Sequence, residues 1–447
     1  MNITIFTIGS RGDVQPYVAL GCRLQEAGHT VSIATYSFYR EFIESYELAI
    51  RPFHGDPQEL MSSELAREWV SSQQNPVRFI RAFIAITKTQ LEPLFTSASI
   101  CEDTELIIYS DLGVVGHHVA EYLGIPSVRT HLQPFGLTRE FPAVGSPPWL
   151  HLGGAYNRIS HIVTDQVMWQ PFRSTVNEWR REQLSLPPTP FFGPYRQQKR
   201  KQQLVLSAFS PRVVPRPSDW APWHKITGYW FLPPPPGWTP SPKLLDFLES
   251  GPPPVYIGFG SMFDEDPQAL AEMVLSAVNR IGLRVVLSSG WGGLSADHLP
   301  DNVYMISSVP HEWLFPKMAA VMHHGGAGTT SAGLRAGVPN VVIPYFADQH
   351  FWGNRVYDLG VGPKPVARRH LTEDKITAVL QQATQDVEMK GRAKEVGRQI
   401  RAEDGPGVAI SHIEWYFERG EVEAPQRKWR SYPRSPRIRR YLRLRQP

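Results

Sequence analysis

Nine residues in the C-terminal third, Met322-His323-His324-Gly325-Gly326-Ala327-Gly328-Thr329-Thr330, have the types and spacing to grip an anion. The apolar stretch Ala319 to Met322 leads in as a buried strand, and Ser331-Ala332-Gly333-Leu334-Arg335-Ala336 opens a helix. Glycine lets a backbone approach its ligand closely, and the first amides of a helix are unpaired donors under a positive dipole. Such a turn binds anions, and a histidine just before it adds another donor. The anion that suits this arrangement is a diphosphate. A second glycine turn, Gly9-Ser10-Arg11-Gly12-Asp13, follows the apolar strand Ile3 to Ile8. It is not a G-x-G-x-x-G turn, which disfavours a nicotinamide-dependent dehydrogenase.

The elements that must hold these turns read as two α/β units. In the first, Val14 to Ala27 has Leu20, Leu24 and Ala27 at helical spacing with Gly28 past its end, and Thr30 to Ala34 reads as the next strand. Leu106 to Tyr109 is a further buried strand ending at Ser110-Asp111, before a helix from Val115 to Tyr122 and a strand from Ile125. Two helical stretches, Val77 to Leu94 and Ile159 to Trp179, carry large apolar faces. Most of these side chains should pack a core, and the surplus aromatics suggest that some line an apolar ligand pocket. A proline-rich break, Leu232 to Pro240, reads as a stiff linker. A new series of strands and helices then starts at Val255 and continues through Arg284 to Leu287, Val303 to Ile306, Ala320 to His323 and Asn340 to Pro344. The expected division is 1–232, a linker at 233–242, 243–404, a C-terminal helix at 405–420 that returns to the first unit, and a tail at 421–447. Two doubly wound, Rossmann-like domains should face each other across a cleft, with ligands at the carboxyl ends of the strands.

Composition narrows the class. The chain has 447 residues, 42% apolar and 20% charged, as a folded soluble protein of two or three domains does. Nothing approaches the roughly 18 uncharged apolar residues of a membrane span. Met1-Asn2-Ile3-Thr4-Ile5-Phe6 runs into a glycine turn and reads as a first strand, not a signal peptide. Cys22 and Cys101 form no framework or metal spacing, and a cytoplasmic location is expected. The tail 421–447 holds nine Arg or Lys against two Glu, a net +7, so the rest of the chain carries −3 of the overall +4. Nucleic-acid binding is not expected of such a body. The tail reads as a solvated end, with a peripheral tether to anionic lipid, aided by Trp429, Tyr432, Tyr441 and Leu442, as the sharper alternative.

Five motifs carry a resemblance: Gly9-Ser10-Arg11-Gly12-Asp13-Val14-Gln15-Pro16, Gly258-Phe259-Gly260-Ser261-Met262, Val309 to Phe315, His323 to Gly337, and Pro344 to Arg355. In order and spacing the chain resembles the GT-B type UDP-glycosyltransferase superfamily, nearest the sterol glucosyltransferases and the bacterial enzymes that glycosylate macrocyclic antibiotics. The resemblance implies an inverting transfer of a hexose, glucose by family habit, from a UDP-sugar to a hydroxyl of a lipophilic acceptor such as a sterol. It implies donor contacts from Ser10, Arg11 and Gly12 in the first turn. It also implies that Ser261, His324, Gly326, Gly328, Thr329 and Thr330 take the diphosphate, Val309 and His311 the uracil, and Asp348 with Gln349 the sugar hydroxyls. The ribose-binding glutamate of plant members would fall near Ala332, where this chain has none. Asp13 stands where many relatives have a catalytic histidine, and Asp111 where they have the carboxylate that orients it. The two carboxylates are expected close together, with one pKa raised to suit a general base. No metal is required when protein donors stabilise the leaving diphosphate.

Other readings stand beside these. Asp13 or Asp111 alone can cap a helix. Asp264-Glu265-Asp266 imitates a metal motif but reads as turn decoration, and His117-His118 point apart on a helix. His323 reads as packing beside a functional His324. A monomer is expected. A glycosyltransferase for a triterpenoid, macrolide, polyphenol or glycolipid precursor, and a catalytically silent subunit of the same fold, are the alternatives.

Overall fold

The computed structural model of the protein describes residues 1–53, 101–147, 152–194, 202–260, 266–289 and 299–418, with isolated positions between them (63, 78, 81–82, 84–85, 94–95, 150 and 264). The expected 77–94 helix falls largely outside these residues, as do Ser261 and the basic tail.

The first domain is a parallel seven-stranded sheet in the order β3-β2-β1-β4-β5-β6-β7. Its strands are β1 (Asn2–Phe6), β2 (Thr30–Tyr36), β3 (Ala49–Phe53), β4 (Leu106–Tyr109), β5 (Ser127–His131), β6 (Val205–Ser207) and β7 (His224–Ile226). Its longer helices are α1 (Arg11–Glu26), α2 (Val115–Leu123) and α3 (Gly153–Glu182). The second domain is a parallel five-stranded sheet in the order β10-β9-β8-β11-β12. Here the strands are β8 (Val255–Gly258), β9 (Val285–Ser288), β10 (Val303–Ile306), β11 (Ala320–His323) and β12 (Asn340–Val342). The helices that follow are α4 (Pro242–Glu249), α5 (Pro267–Ile281), α6 (His311–Leu314), α7 (Ala327–Ala336), α8 (Gln349–Asp358), α9 (Glu373–Gln385), α10 (Val387–Arg401) and α11 (Gly405–Glu418).

Strands buried on both faces read as continuous apolar runs, as β4 (Leu-Ile-Ile-Tyr) and β8 (Val-Tyr-Ile-Gly) do. Ile3, Ile5, Val31, Ile33, Leu106 and Ile108 fill the first core, with Trp169, Phe172 and Trp179 of α3. Ile410 and Ile413 of α11 join the same core, so the last helix packs on the first domain. A separate cluster joins the domains: Phe209, Trp220 and Tyr229 pack with Leu334, Trp352 and Ile400.

In each sheet the strand order reverses beside the first strand, between β1 and β4 and between β8 and β11. Ligands of doubly wound sheets bind at such switch points. The turns that follow β1 and β11 are the two glycine turns, so topology puts both at the cleft.

Two helices start earlier than their periodicity suggests. α1 begins at Arg11 because Ser10 and Asp13 cap it reciprocally. α7 begins at Ala327, four residues before Ser331, with extended Gly326 (ψ 145°) as its N-cap. That shift makes Gly328 and Thr329 first-turn residues. No helix among the described residues is long and apolar enough to cross a membrane.

Candidate active site

The wall built by the first domain centres on Asp13. Its Oδ2 accepts from the Ser10 N–H at 2.8 Å and the Ser10 hydroxyl at 2.9 Å. Oδ1 has no hydrogen-bond partner among the described residues. The Thr7 hydroxyl donates to the Asp13 carbonyl at 2.7 Å, and the Tyr39 hydroxyl to the Gly9 carbonyl at 3.0 Å. Gly9 is forced to be glycine: its φ is +126°, and a Cβ there would lie 2.5 Å from Asp13 Oδ2. Burial pushes the Asp13 carboxyl above its ordinary pKa, against the two Ser10 hydrogen bonds. Arg11 donates from Nε to Gln15 Oε1 at 2.9 Å and lays its guanidinium over Phe42, 3.4 Å from the ring centre.

Asp111 does not form the expected carboxylate pair. It accepts from Arg129 Nη2 at 2.9 Å and lies 2.7 Å from His131 Nδ1, both on β5. Burial opposes its ionisation, but His131 and Arg129 outweigh burial and hold its pKa below the usual carboxylate value. It is absent from the residues lining the cleft. The Arg129 cation and the His131 ring hold it, so the rise at Asp13 comes from burial and not from a neighbouring Asp111. The carboxylate whose charge does meet that of Asp13 is Asp348, across the cleft.

The second domain supplies the wall where the anion is expected. His323 is structural: its Nε2 pairs with Asn340 Oδ1 at 3.0 Å, and its Nδ1 accepts from the Gly325 N–H at 3.0 Å. His324 lines the cleft between two glycines. A Cβ on Gly326 would lie 2.5 Å from its Nε2, and one on Gly260 3.0 Å from its Cε1. Its Nδ1 is buried and unpartnered. Burial, then His323 and His311, bring its pKa down to about 3, so the ring is neutral and has one N–H to give. No side chain caps α7, which leaves its first amides free for a ligand. Gly328 faces Gly12: a Cβ added at 328 would come 3.9 Å from the Gly12 Cα. Two helix N-termini therefore meet across one gap, a doubled anion site.

Thr330 departs from the expected cradle. Its amide donates to the Gly326 carbonyl at 2.9 Å, its side chain is buried, and it does not line the cleft. As the fourth residue of α7 it lies past the free amides. Val309 and His311 line the other end. The His311 ring stacks on Phe315 at 4.3 Å, and burial brings its pKa down to about 4.

Asp348 follows Ala347, a non-glycine residue held at φ +54°. Backbone of that kind clusters at functional sites. Its Oδ2 accepts from Trp352 Nε1 at 3.0 Å. Burial pushes its carboxyl up to about 6; the Trp352 bond works against this, and the Asp13 charge adds to it. Gln349 lines the cleft too, but its Oε1 accepts from the Tyr345 and Phe346 amides at 2.7 and 3.2 Å and so holds the loop. The cleft encloses about 470 Å³. Its apolar lining includes Leu132, Trp230 and Phe231, to which the sequence reading gave no role, beside Tyr256, Ile306, Val309 and Phe346. Of the aliphatic residues of α3, Val176 enters the first core, whereas Ile159, Ile162, Val163, Val167 and Met168 are exposed and do not line the cleft.

The acidic and histidine pairs have structural partners. Asp264 takes both Arg368 Nε at 2.6 Å and Nη2 at 2.8 Å, and Asp266 caps α5 by accepting from the Ala269 amide at 2.9 Å. His117, His118 and Glu121 lie within metal-ligating reach of one another. There Arg180 Nη1 already contacts His118 Nδ1 at 2.8 Å and Glu121 Oε2 at 2.9 Å, a cation in the place of an ion.

Residues 3–142 match the glycosyltransferase family 28 N-terminal domain, and residues 272–414 the erythromycin biosynthesis protein CIII-like C-terminal domain. The chain is 40% identical over 429 residues to a sterol 3-beta-glucosyltransferase of Emericella nidulans, covering 92% of this chain and 30% of that protein. A sterol 3-beta-glucosyltransferase of Candida albicans is 37% identical over 430 residues, with 92% and 27% covered. The chain thus spans about a third or less of the curated relatives it matches. Among solved structures, the kitacinnamycin glycosyltransferase superposes with a TM-score of 0.68 at 18% identity, covering 93% of this chain and 98% of that one. The glycosyltransferase VinC in complex with dTDP gives 0.62 at 21% identity, covering 94% and 100%.

Proposed function

Because the chain belongs to the GT-B glycosyltransferases, we propose that it transfers glucose from UDP-glucose to the hydroxyl of a sterol or a similar lipophilic alcohol, with inversion at the anomeric carbon. The observation that carries this reading is the juxtaposition of Asp13, with one carboxylate oxygen unpartnered, and the uncapped start of α7 beside neutral His324. The curated relatives that match most of this chain are sterol glucosyltransferases, which favours a sterol over the other acceptors.

In the proposed step Asp13 Oδ1 accepts the acceptor's hydroxyl proton. The oxygen attacks the anomeric carbon, the bond from that carbon to the β-phosphate oxygen breaks, and UDP leaves with the electron pair. The α7 amides and His324 stabilise the charge that develops on the diphosphate. Asp348, buried in the cleft wall with a pKa of about 6, is ionised at neutral pH and suits a group that accepts a hydrogen bond from a sugar hydroxyl.

Incubating the chain with UDP-glucose and mixed sterols, triterpenoids and polyphenols tests the reading. A sterol glucoside, seen as a mass increase of one hexose, is expected. UDP binding with no glycoside of any acceptor would contradict it and indicate a silent subunit. Since protein donors supply the positive field at the diphosphate, a chelator should change the sterol glucosylation rate less than about twofold, well under the several kcal/mol that a catalytic cation contributes. Loss of activity with EDTA and recovery with Mg²⁺ would show the clamp to be incomplete without a cation.

A further inference from the structure

A nucleoside diphosphate that lays its base on the Val309–His311 loop and its phosphates on α7 must pass its ribose between them. Glu312, next to His311, and Ala332 of α7 both line the cleft. Ala332 offers only a methyl group. Ser331, the neighbouring hydroxyl on α7, is spent on the Gly328 carbonyl at 2.8 Å. Glu312 is different. Its side chain is 14% exposed, and one oxygen, Oε2, pairs with Arg335 Nη1. Arg335 sits one turn beyond Ala332, with its guanidinium 4.5 Å from the centre of the Phe231 ring. The other oxygen, Oε1, has no hydrogen-bond partner among the described residues. A mostly buried carboxylate is thus held on one side by an arginine and has an acceptor to spare in the cleft.

Resting on the glycosyl-transfer reading, we propose that Glu312 is the ribose-recognition residue, its Oε1 accepting from the 2′-hydroxyl of the nucleotide and so selecting ribonucleoside over 2′-deoxyribonucleoside diphosphates. A carboxylate can accept from a hydroxyl on each oxygen, and a buried charge gains most from a second donor. Burial raises the Glu312 carboxyl pKa, and Arg335 acts against that rise. A bland buried ion pair between α6 and α7 would account for Arg335. It would not account for a carboxylate that also lines the cleft where a sugar must pass.

Calorimetric titration of the full chain with UDP and with 2′-deoxy-UDP, alone and in E312Q and E312A, tests this without any acceptor. The unsubstituted chain should bind UDP about ten- to a hundredfold more tightly than 2′-deoxy-UDP, the range of one hydrogen bond to a charged group. E312A should lower UDP affinity to near that of 2′-deoxy-UDP and leave the deoxynucleotide within about twofold, with E312Q between. Equal binding of the two nucleotides by the unsubstituted chain overturns the proposal with no variant needed. Parallel weakening of both nucleotides in E312A also overturns it, and assigns the pair to packing. If UDP itself does not bind, the glycosyl-transfer reading fails first, and this proposal with it.

Discussion

Replacing Asp13 by asparagine is expected to lower turnover about 10²- to 10⁴-fold, the range of a positioned general base. The shape of the site should survive. An amide oxygen can still accept the Ser10 N–H and hydroxyl that now bind Oδ2. What is lost is the oxygen that takes the acceptor's proton. UDP affinity should change little, because the diphosphate donors lie in the second domain and on the Arg11–Gly12 backbone, while the Ser10 N–H stays on residue 13. The pH profile gives a second readout. Burial raises the Asp13 carboxyl above the ordinary carboxylate pKa, and the base is competent only when deprotonated. Activity should therefore climb with pH on an acid limb placed higher than a free aspartate would give, and D13N should flatten that limb. Linkage has a fixed sign here. A carboxyl whose folded pKa is raised favours the folded state below the unfolded pKa and loses that advantage as pH rises through the folded one. At neutral pH D13N should melt no lower than the unsubstituted chain, which separates lost chemistry from lost fold. Turnover within tenfold of normal would reduce Asp13 to its part in the cap of α1.

The second large effect is expected from His324→Ala. The ring lies between Gly260 and Gly326, buried, neutral and with an unpartnered Nδ1. Removing one preorganised donor from a site of developing negative charge costs about 10²- to 10³-fold in rate. Unlike D13N, this substitution should also weaken UDP binding, since the donor is used by bound diphosphate before any bond breaks. The acid limb should stay where it is, because a ring with a pKa of about 3 does not titrate in the working range. Kinetics with UDP-glucose, together with UDP titration, checks both parts. Unchanged UDP affinity and turnover would place the diphosphate elsewhere.

These two residues were legible because their positions are local. A strand, a glycine turn and a helix start fit within about a dozen residues, and a parallel sheet delivers that unit to its carboxyl edge whatever the rest of the chain does. Asp111 was misjudged for the opposite reason. Its partners Arg129 and His131 come from β5, and only the register that pairs Tyr109 with Arg129 brings them beside it. Spacing along the chain cannot show that an arginine and a histidine are waiting on the neighbouring strand. Thr330 was misjudged by the start of α7. With the helix read from Ser331 it was a loop donor; with the helix at Ala327 its amide closes the first turn. Glu312 lay inside a recognised motif, and its signal was Arg335 on a different helix, visible only once α6 packs on α7. The apolar α3 side chains have helical spacing on more than one face. Periodicity alone does not say that Trp169 and Phe172 enter the core while Ile162 and Val163 stay outside.

The account turns on where the diphosphate sits, and a crystal structure of the chain with UDP measures that directly. The β-phosphate oxygens should lie within hydrogen-bond distance of the Gly328 and Thr329 amides and a ring nitrogen of His324, in the gap that faces Gly12 and Asp13. A diphosphate bound away from the start of α7, with His324 left untouched, would contradict it.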